Sequence, residues 1–469
     1  MSSVQKTQSL AFQIWKKLSH FAGLVGEPIS AYSDEAFGDR SGAQGSGSEM
    51  NGRTKLVDST GELILAASDK SVRQIIISAD LDDVPAIKLL PGQSLRAYSE
   101  QQPTLTFREN TDGLQLDSDN AVSGLRLIAS PQRSAIWNDC SVEDLGSIRL
   151  HSLQTVGRIQ ILAKQKVRRG HVDVDGLDII AADVRAEQDR PHGYGVYVLQ
   201  GALTLWNMQA DKDVVLTADL VNISIGRFGS PILGSGVFIA GAGEQGGRVK
   251  VHRLETNAVY VDGRIAPGTP DVIAGGVFVV YGSDVDRVTN HGPVMTYGAN
   301  DMALDNWGAV DRWIAKDKVT TFGPSGIGFV NFGYIRDLRL EAPVETFGPG
   351  ARGFNVYSGT VDRAEFDRIV THADGAVGVQ ISQPIGTMIV RRGIETFGGE
   401  GPSLVKGVVQ NLSAIALSIK PGGSAQSIEI AGGLKTHGKN VFPLEQHGLV
   451  QRLVVDGGYF GAHDSSSST

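Results

Sequence analysis

The chain has 469 residues, of which 41% are hydrophobic and 20% charged, with a formal net charge of -8; it can fill an apolar interior, and it has no basic field to attract nucleic acid, which is not expected as a partner. Cys140 is the only cysteine, so an intrachain disulfide is excluded, and neither CxxC nor HxxxH spacing points to a metal; no cofactor is expected. No stretch approaches 18 apolar residues, so no transmembrane span is predicted.

The first 54 residues stand apart from the rest. Ala11, Ile14, Trp15, Leu18, Phe21, Ala22 and Val25 recur at helical spacing, with Lys16, Lys17 and Ser19 between them. This predicts an amphipathic helix, expected to cap the first coil of a solenoid; lying on a membrane surface is the alternative use. It does not have the pattern of a signal peptide, because no uninterrupted apolar core precedes a small-residue cleavage site. Residues 33–53, with Gly42, Gly45, Gly47 and Gly52 among serines and acids, predict a flexible or irregular connection.

From residue 55 to 462 short strands recur. Starts of the type Gly195-Val196-Tyr197-Val198, Gly236-Val237-Phe238-Ile239 and Gly276-Val277-Phe278-Val279 lie about 40 residues apart. Further on the spacing tightens. Thr296, Thr321, Thr346, Thr371 and Thr396 stand 25 apart, each two residues after Val294, Val319, Val344, Ile369 or Ile394. Seven residues after the first four come Ala303, Gly328, Gly353 and Gly378. Strands at Val285-Asp286-Arg287, at Val344-Glu345-Thr346 and after the glycine leave no room for a helix in the unit. A fixed period of this size built from three strands predicts one coil of a parallel β-helix, and the glycine excess, roughly an eighth of the chain against a usual ~7%, fits a corner at every turn. Residues 463–469 predict a disordered tail.

These coils resemble those of the right-handed parallel β-helix, or pectin-lyase-like, superfamily over roughly residues 55 to 460. The resemblance is architectural. The Asn-x-Asp and Asp-Asp pairs of polygalacturonases are missing, and Arg248-Val249-Lys250 precedes Asn290-His291-Gly292, reversing their order. It implies an all-β solenoid, a polysaccharide or oligosaccharide as partner, and a secreted or cell-surface location. A homo-trimer is common in proteins of this build.

The 40-residue coils carry inserted loops: Glu187 to Tyr194, Arg227 to Ser235, and Asp262 to Asp271, each before a third strand. Stacked ~4.8 Å apart, they should form one wall of a cleft. Asp189, Asp262 and Asp271 are the candidate acid, base or nucleophile for glycoside cleavage, and Arg264 the candidate proton abstractor for elimination beside a uronate. Arg190, His192, Tyr194, Arg227 and Glu244 are the candidate substrate-binding residues. The competing reading is that these are solvated turn residues.

Two columns flank the repeat. The threonines should point inward, each hydroxyl bonded to backbone or to the next coil. Tyr297, Phe322, Phe347, His372 and Phe397 follow them. Strict alternation points these rings outward, as a covered or oligomeric surface or a sugar platform; the small residue after each favours a break in alternation and an inward ring stack instead. The Asp-Arg column at 286/287, 311/312, 336/337 and 362/363 should be a solvated charge ladder. Two GxGxxG matches, at 241–246 and 348–353, do not open a helix in a βαβ unit and carry no dinucleotide signal. Two functions remain: an enzyme acting on a glycan (hydrolase, lyase, epimerase or transferase), or a non-catalytic solenoid that binds glycans, adheres or builds structure.

Overall fold

The computed structural model of the chain describes residues 52–266, 269–405 and 408–462. The predicted N-terminal cap helix, nearly all of its connection and the tail lie outside the described residues. The rest is the expected all-β, right-handed parallel β-helix, in which the strands of each coil, apart from two antiparallel hairpins, pair in parallel with their counterparts one coil on. A regular coil holds Ala309–Ala315, Val319–Thr321 and Ile327–Asn331; the next repeats them as Tyr334–Leu340, Val344–Thr346 and Arg352–Val356. Val310 pairs with Ile335, Val319 with Val344, and Phe329 with Phe354, so the 25-residue period is one physical rung. In earlier coils the first two strands fuse into long bent ones, such as Arg169–Ala181 and Val215–Ile225. At the bend, Ser152, Gly176 and Asn222 adopt left-handed backbone at equivalent positions.

The interior explains both repeated columns. Val294, Val319, Val344, Ile369 and Ile394 are buried in one continuous core. A Cβ on Gly353 would lie 2.2 Å from Ile369 Cγ2 and 2.6 Å from the Gly378 carbonyl, and Gly328 and Gly378 face the next coil in the same way. The glycines are thus spaces filled by the branched side chain and carbonyl of the following coil. The threonines do point inward, and Thr371 and Thr436 each donate to a turn carbonyl at 2.8 Å. The expectation that every hydroxyl is bonded fails, because those of Thr296, Thr321 and Thr346 are buried with no turn carbonyl in bonding geometry. Polar ladders also run inside: Asn306 donates to Asn331 at 2.8 Å, and Trp313 to Asn290 at 2.9 Å.

One described helix, Thr60–Ser68, was not anticipated. It crosses from Arg53–Val57 to Val72–Ile77, which pair in parallel, and it buries Leu63, Ala66 and Ala67 in the core. The signal was Ser59 followed three residues later by Glu62, ahead of apolar residues at helical spacing. Glu62 accepts a hydrogen bond from the Asp58 N–H at 3.3 Å, while the Ser59 hydroxyl makes no cap bond. The helix is neither long nor apolar enough to cross a membrane.

Candidate functional site at the inserted loops

The second and third inserted loops meet, Gly234 N–H donating to the Asp262 carbonyl at 2.9 Å. The first is tied to them through its flanks, where Leu233 N–H donates to the Ala182 carbonyl and Tyr197 N–H to that of Asp271, at 2.8 and 2.7 Å. Their side chains, however, divide between two places.

The first place is the corner where the aromatic column ends. Leu233 pairs with Asp262, and Val261 with Thr296, so Asp262 holds the position that Tyr297 holds one coil later. From Tyr297 the rings run Phe322, Phe347, His372, Phe397 and His437, with centroids 4.4–5.3 Å apart and planes 4–12° from parallel. They are partly exposed on the outer surface, Phe397 at 43%, so the inward stack is corrected: alternation held, because the Thr one residue before each ring and the Val, Ile or Leu three before it occupy the interior. The sugar platform also fails within the column. Each ring covers its neighbour's face, leaving edges to solvent.

At the head of this ladder lie two aspartates. Asp262 accepts from the Arg264 N–H at 2.9 Å and pairs with the Arg264 guanidinium at 3.3 Å. Asp301, fully buried, accepts from Gly263 and Gly298 N–H through Oδ2 at 3.0 and 2.8 Å, while Oδ1 has no partner. A Cβ built on Gly298 would lie 2.7 Å from Asp301 Oδ2 and 2.9 Å from Asp262 Oδ1. The two oxygens are therefore no further apart than the sum of those distances. Burial, with the Asp262 charge adding to it against the two N–H bonds, raises the Asp301 carboxyl to about 7. Asp262 also bears on Arg185, which is paired with Asp183 at 2.8 Å, and on Tyr297, whose phenol burial pushes up to about 12. Arg227 sits on this side too, forked onto Asp178 at 2.8 and 2.6 Å.

The expected pairing of Asp262 with Asp189 or Asp271 is replaced by this one. Asp189 pairs with Lys164 at 2.6 Å, and Asp271 contributes its backbone carbonyl to Tyr197. Arg190 ties its own loop, donating to the Glu187 and Arg185 carbonyls at 3.1 and 2.6 Å, so its guanidinium is engaged in the loop. Asp301 escaped the sequence reading. Its signal was a carboxylate at a corner where later coils have Gly326, Ala351 and Ala376.

The second place is the outer face of the third-strand sheet, where residues 192–198 form a hairpin that pairs with Val272 and Ile273. The His192 ring lies 4.5 Å from that of Tyr197, and Tyr194 reaches across coils to stack on Phe332 at 4.5 Å and meet Trp307 edge-on at 5.1 Å. Exposed Glu244 stands close enough for its charge to raise the Tyr194 phenol further, after burial. Under this roof and a second hairpin, Glu400–Val405 with Val408–Ser413, lies a cavity of about 70 Å³ bordered by Tyr194, Phe332, Tyr357, Leu404 and Asp305. Asp305 is fully buried with no hydrogen-bond partner on either oxygen, and burial raises its carboxyl well above the ordinary range.

Among the described residues no group of three His, Cys, Asp or Glu could hold a metal ion. Comparison with family models, with curated proteins and with solved structures finds no match for this chain.

Proposed function

We propose that this β-helix acts on a polysaccharide or oligosaccharide at the corner where the ring ladder ends, with Asp262 and Asp301 as its working carboxyl pair. The observation that carries this reading is a carboxyl held to about pH 7 beside a second carboxylate across the Gly298 backbone. Environments that separate two acids in this way assign their roles. Asp262, whose side chain is 18% exposed and paired with Arg264, supplies the group that touches the sugar, as nucleophile or base. Asp301 supplies the proton for the departing oxygen once substrate binding opens the Gly263 turn over it, since its partnerless Oδ1 is buried in the free protein. The bound on their separation lies below the ~6.5–9.5 Å that admits a water between an inverting pair, which leaves the retaining arrangement. Arg264 and Arg185 add positive charge that suits a uronate or a departing alkoxide.

A non-catalytic glycan-binding solenoid is the second reading, favoured by the full burial of Asp301 and its two backbone bonds, which also suit a purely structural turn. A panel of neutral and uronate glycans, assayed for new reducing ends and for unsaturated products, separates the two. Turnover by the intact chain that falls by about 10²-fold or more in both Asp262→Asn and Asp301→Asn supports the enzyme. Retained turnover in both removes the pair from the mechanism. Glycan binding without turnover supports the second reading.

A further inference from the structure

The roofed cavity has no part in the corner chemistry and poses its own problem. At the outward position of the third strand, Asp305 stands in register with Phe278 on one side and Val330 on the other. An apolar side chain is therefore what this position takes in both neighbouring coils. Asp305 instead has no cation within ion-pair distance and no donor in bonding geometry; the Trp307 indole N–H lowers its proton affinity somewhat without completing a hydrogen bond. A buried carboxyl so left costs stability unless something enters to satisfy it.

We propose that this cavity binds a small organic ammonium ion, with Asp305 as its counter-charge and Tyr194, Phe332 and Tyr357 as aromatic walls. The three rings stack on one another, so they wall the cavity as apolar surface, and a methylated ammonium matches a lining that is otherwise largely apolar, including Val196, Ile273 and Ile327. A neutral polyol would leave several hydroxyls unmatched there. Arg352 does not fill the role: its guanidinium, 1% exposed, is bonded to the Gly350 and Leu404 carbonyls and lies two coils from Asp305. At the mouth, Tyr194 is 44% exposed, and it and Gly195 hold left-handed backbone, so the roof ends in a tight turn over the cavity. Exposed Glu244 adds negative charge beside Tyr194.

Titration calorimetry of the intact chain with choline, and with its uncharged isostere 3,3-dimethylbutan-1-ol, tests this independently of any glycan assay. Saturable choline binding is expected, weakened about tenfold or more in Asp305→Asn, in Tyr194→Ala and for the uncharged isostere. Binding should also weaken as the pH falls and Asp305 takes up a proton. Absence of saturable choline binding, equal binding by Asp305→Asn, or equal binding of the isostere overturns the proposal. If Asp305→Asn does not fold, the isostere comparison and Tyr194→Ala decide it alone: equal isostere binding or an unchanged Tyr194→Ala affinity rejects the site.

Discussion

His372 lies flat against Phe347, ring centroids 4.4 Å apart and planes 4° from parallel, while its Nε2 stands 2.8 Å from the Glu345 carboxylate. One side chain thus joins the outer ring ladder to a carboxylate on the neighbouring coil. The bond to His372, against partial burial, holds the Glu345 carboxyl below its ordinary value. The ladder repeats at the rung spacing, so each ring is held by the coil above and the coil below.

Phe347→Ala removes the middle of that ladder, leaving Phe322 and His372 without a shared neighbour. A loss of about 2 kcal/mol is expected, less than for a fully buried phenylalanine because the ring edge is already wet. Urea unfolding measures it.

Gly353→Ala forces a methyl against Ile369 and the Gly378 carbonyl. The expected cost is about 1–3 kcal/mol. Ile369→Ala vacates part of that space, so the double variant should lose less than the sum of the singles, read from a double-mutant cycle.

Asn331→Ala cuts an internal ladder. Asn331 accepts from Asn306 and donates to the Gly333 carbonyl at 2.8 and 2.9 Å, so its removal strands buried groups on both sides. A loss of about 2–4 kcal/mol is expected in equilibrium unfolding.

Stability should peak in mildly acidic solution. Asp301, raised to about 7, binds its proton more tightly folded than unfolded, so its contribution weakens as the pH climbs from about 4 to 7. Asp305 acts in the same direction. Asp139 is held at about 2, where the Lys88 ammonium and the Ser141 bonds outweigh burial, and Glu345 is also lowered; both stabilise above their unfolded values and lose that contribution as the pH falls further. The melting temperature of the wild type should therefore drop between pH 5.5 and 8. Asp301→Asn should flatten that drop, by an amount on the order of 2 kcal/mol over this range.

Much of the fold was legible because a solenoid writes its geometry as a period. Val319 and Val344 had to meet if 25 residues make a coil, and they do. The meeting of the second and third inserted loops followed from the same fact. The direction of the rings turned on whether a glycine breaks alternation, and here the strand carries its alternation through the ring before the corner turns. The charge ladder was legible in part: Arg336 pairs with Asp311 in the open, but Asp337, expected to be solvated, is buried and held by Arg312 and Arg339 at 3.4 and 2.9 Å.

The site was less legible because loops give adjacency without direction. Asp189, Arg190, Tyr194 and Asp262 sit on loops tied to one another, yet Tyr194 turns to Phe332 and Asp262 to the Gly298 turn. Asp301 departs from a column of small residues, and Asp305 stands between Phe278 and Val330 in a column that turns polar further on at Asn355 and Gln380; both are visible only once each residue is assigned its inward or outward place. Helix Thr60–Ser68 was hidden by a period that had not yet begun.

The most direct measurement is a carboxyl carbon NMR titration of Asp301 in the intact protein and in Asp262→Asn. A midpoint near 7 is predicted, moving lower once the neighbouring charge is removed. A midpoint near the ordinary ~4 for aspartate, or one indifferent to Asp262, would contradict the coupled pair on which the proposed chemistry rests.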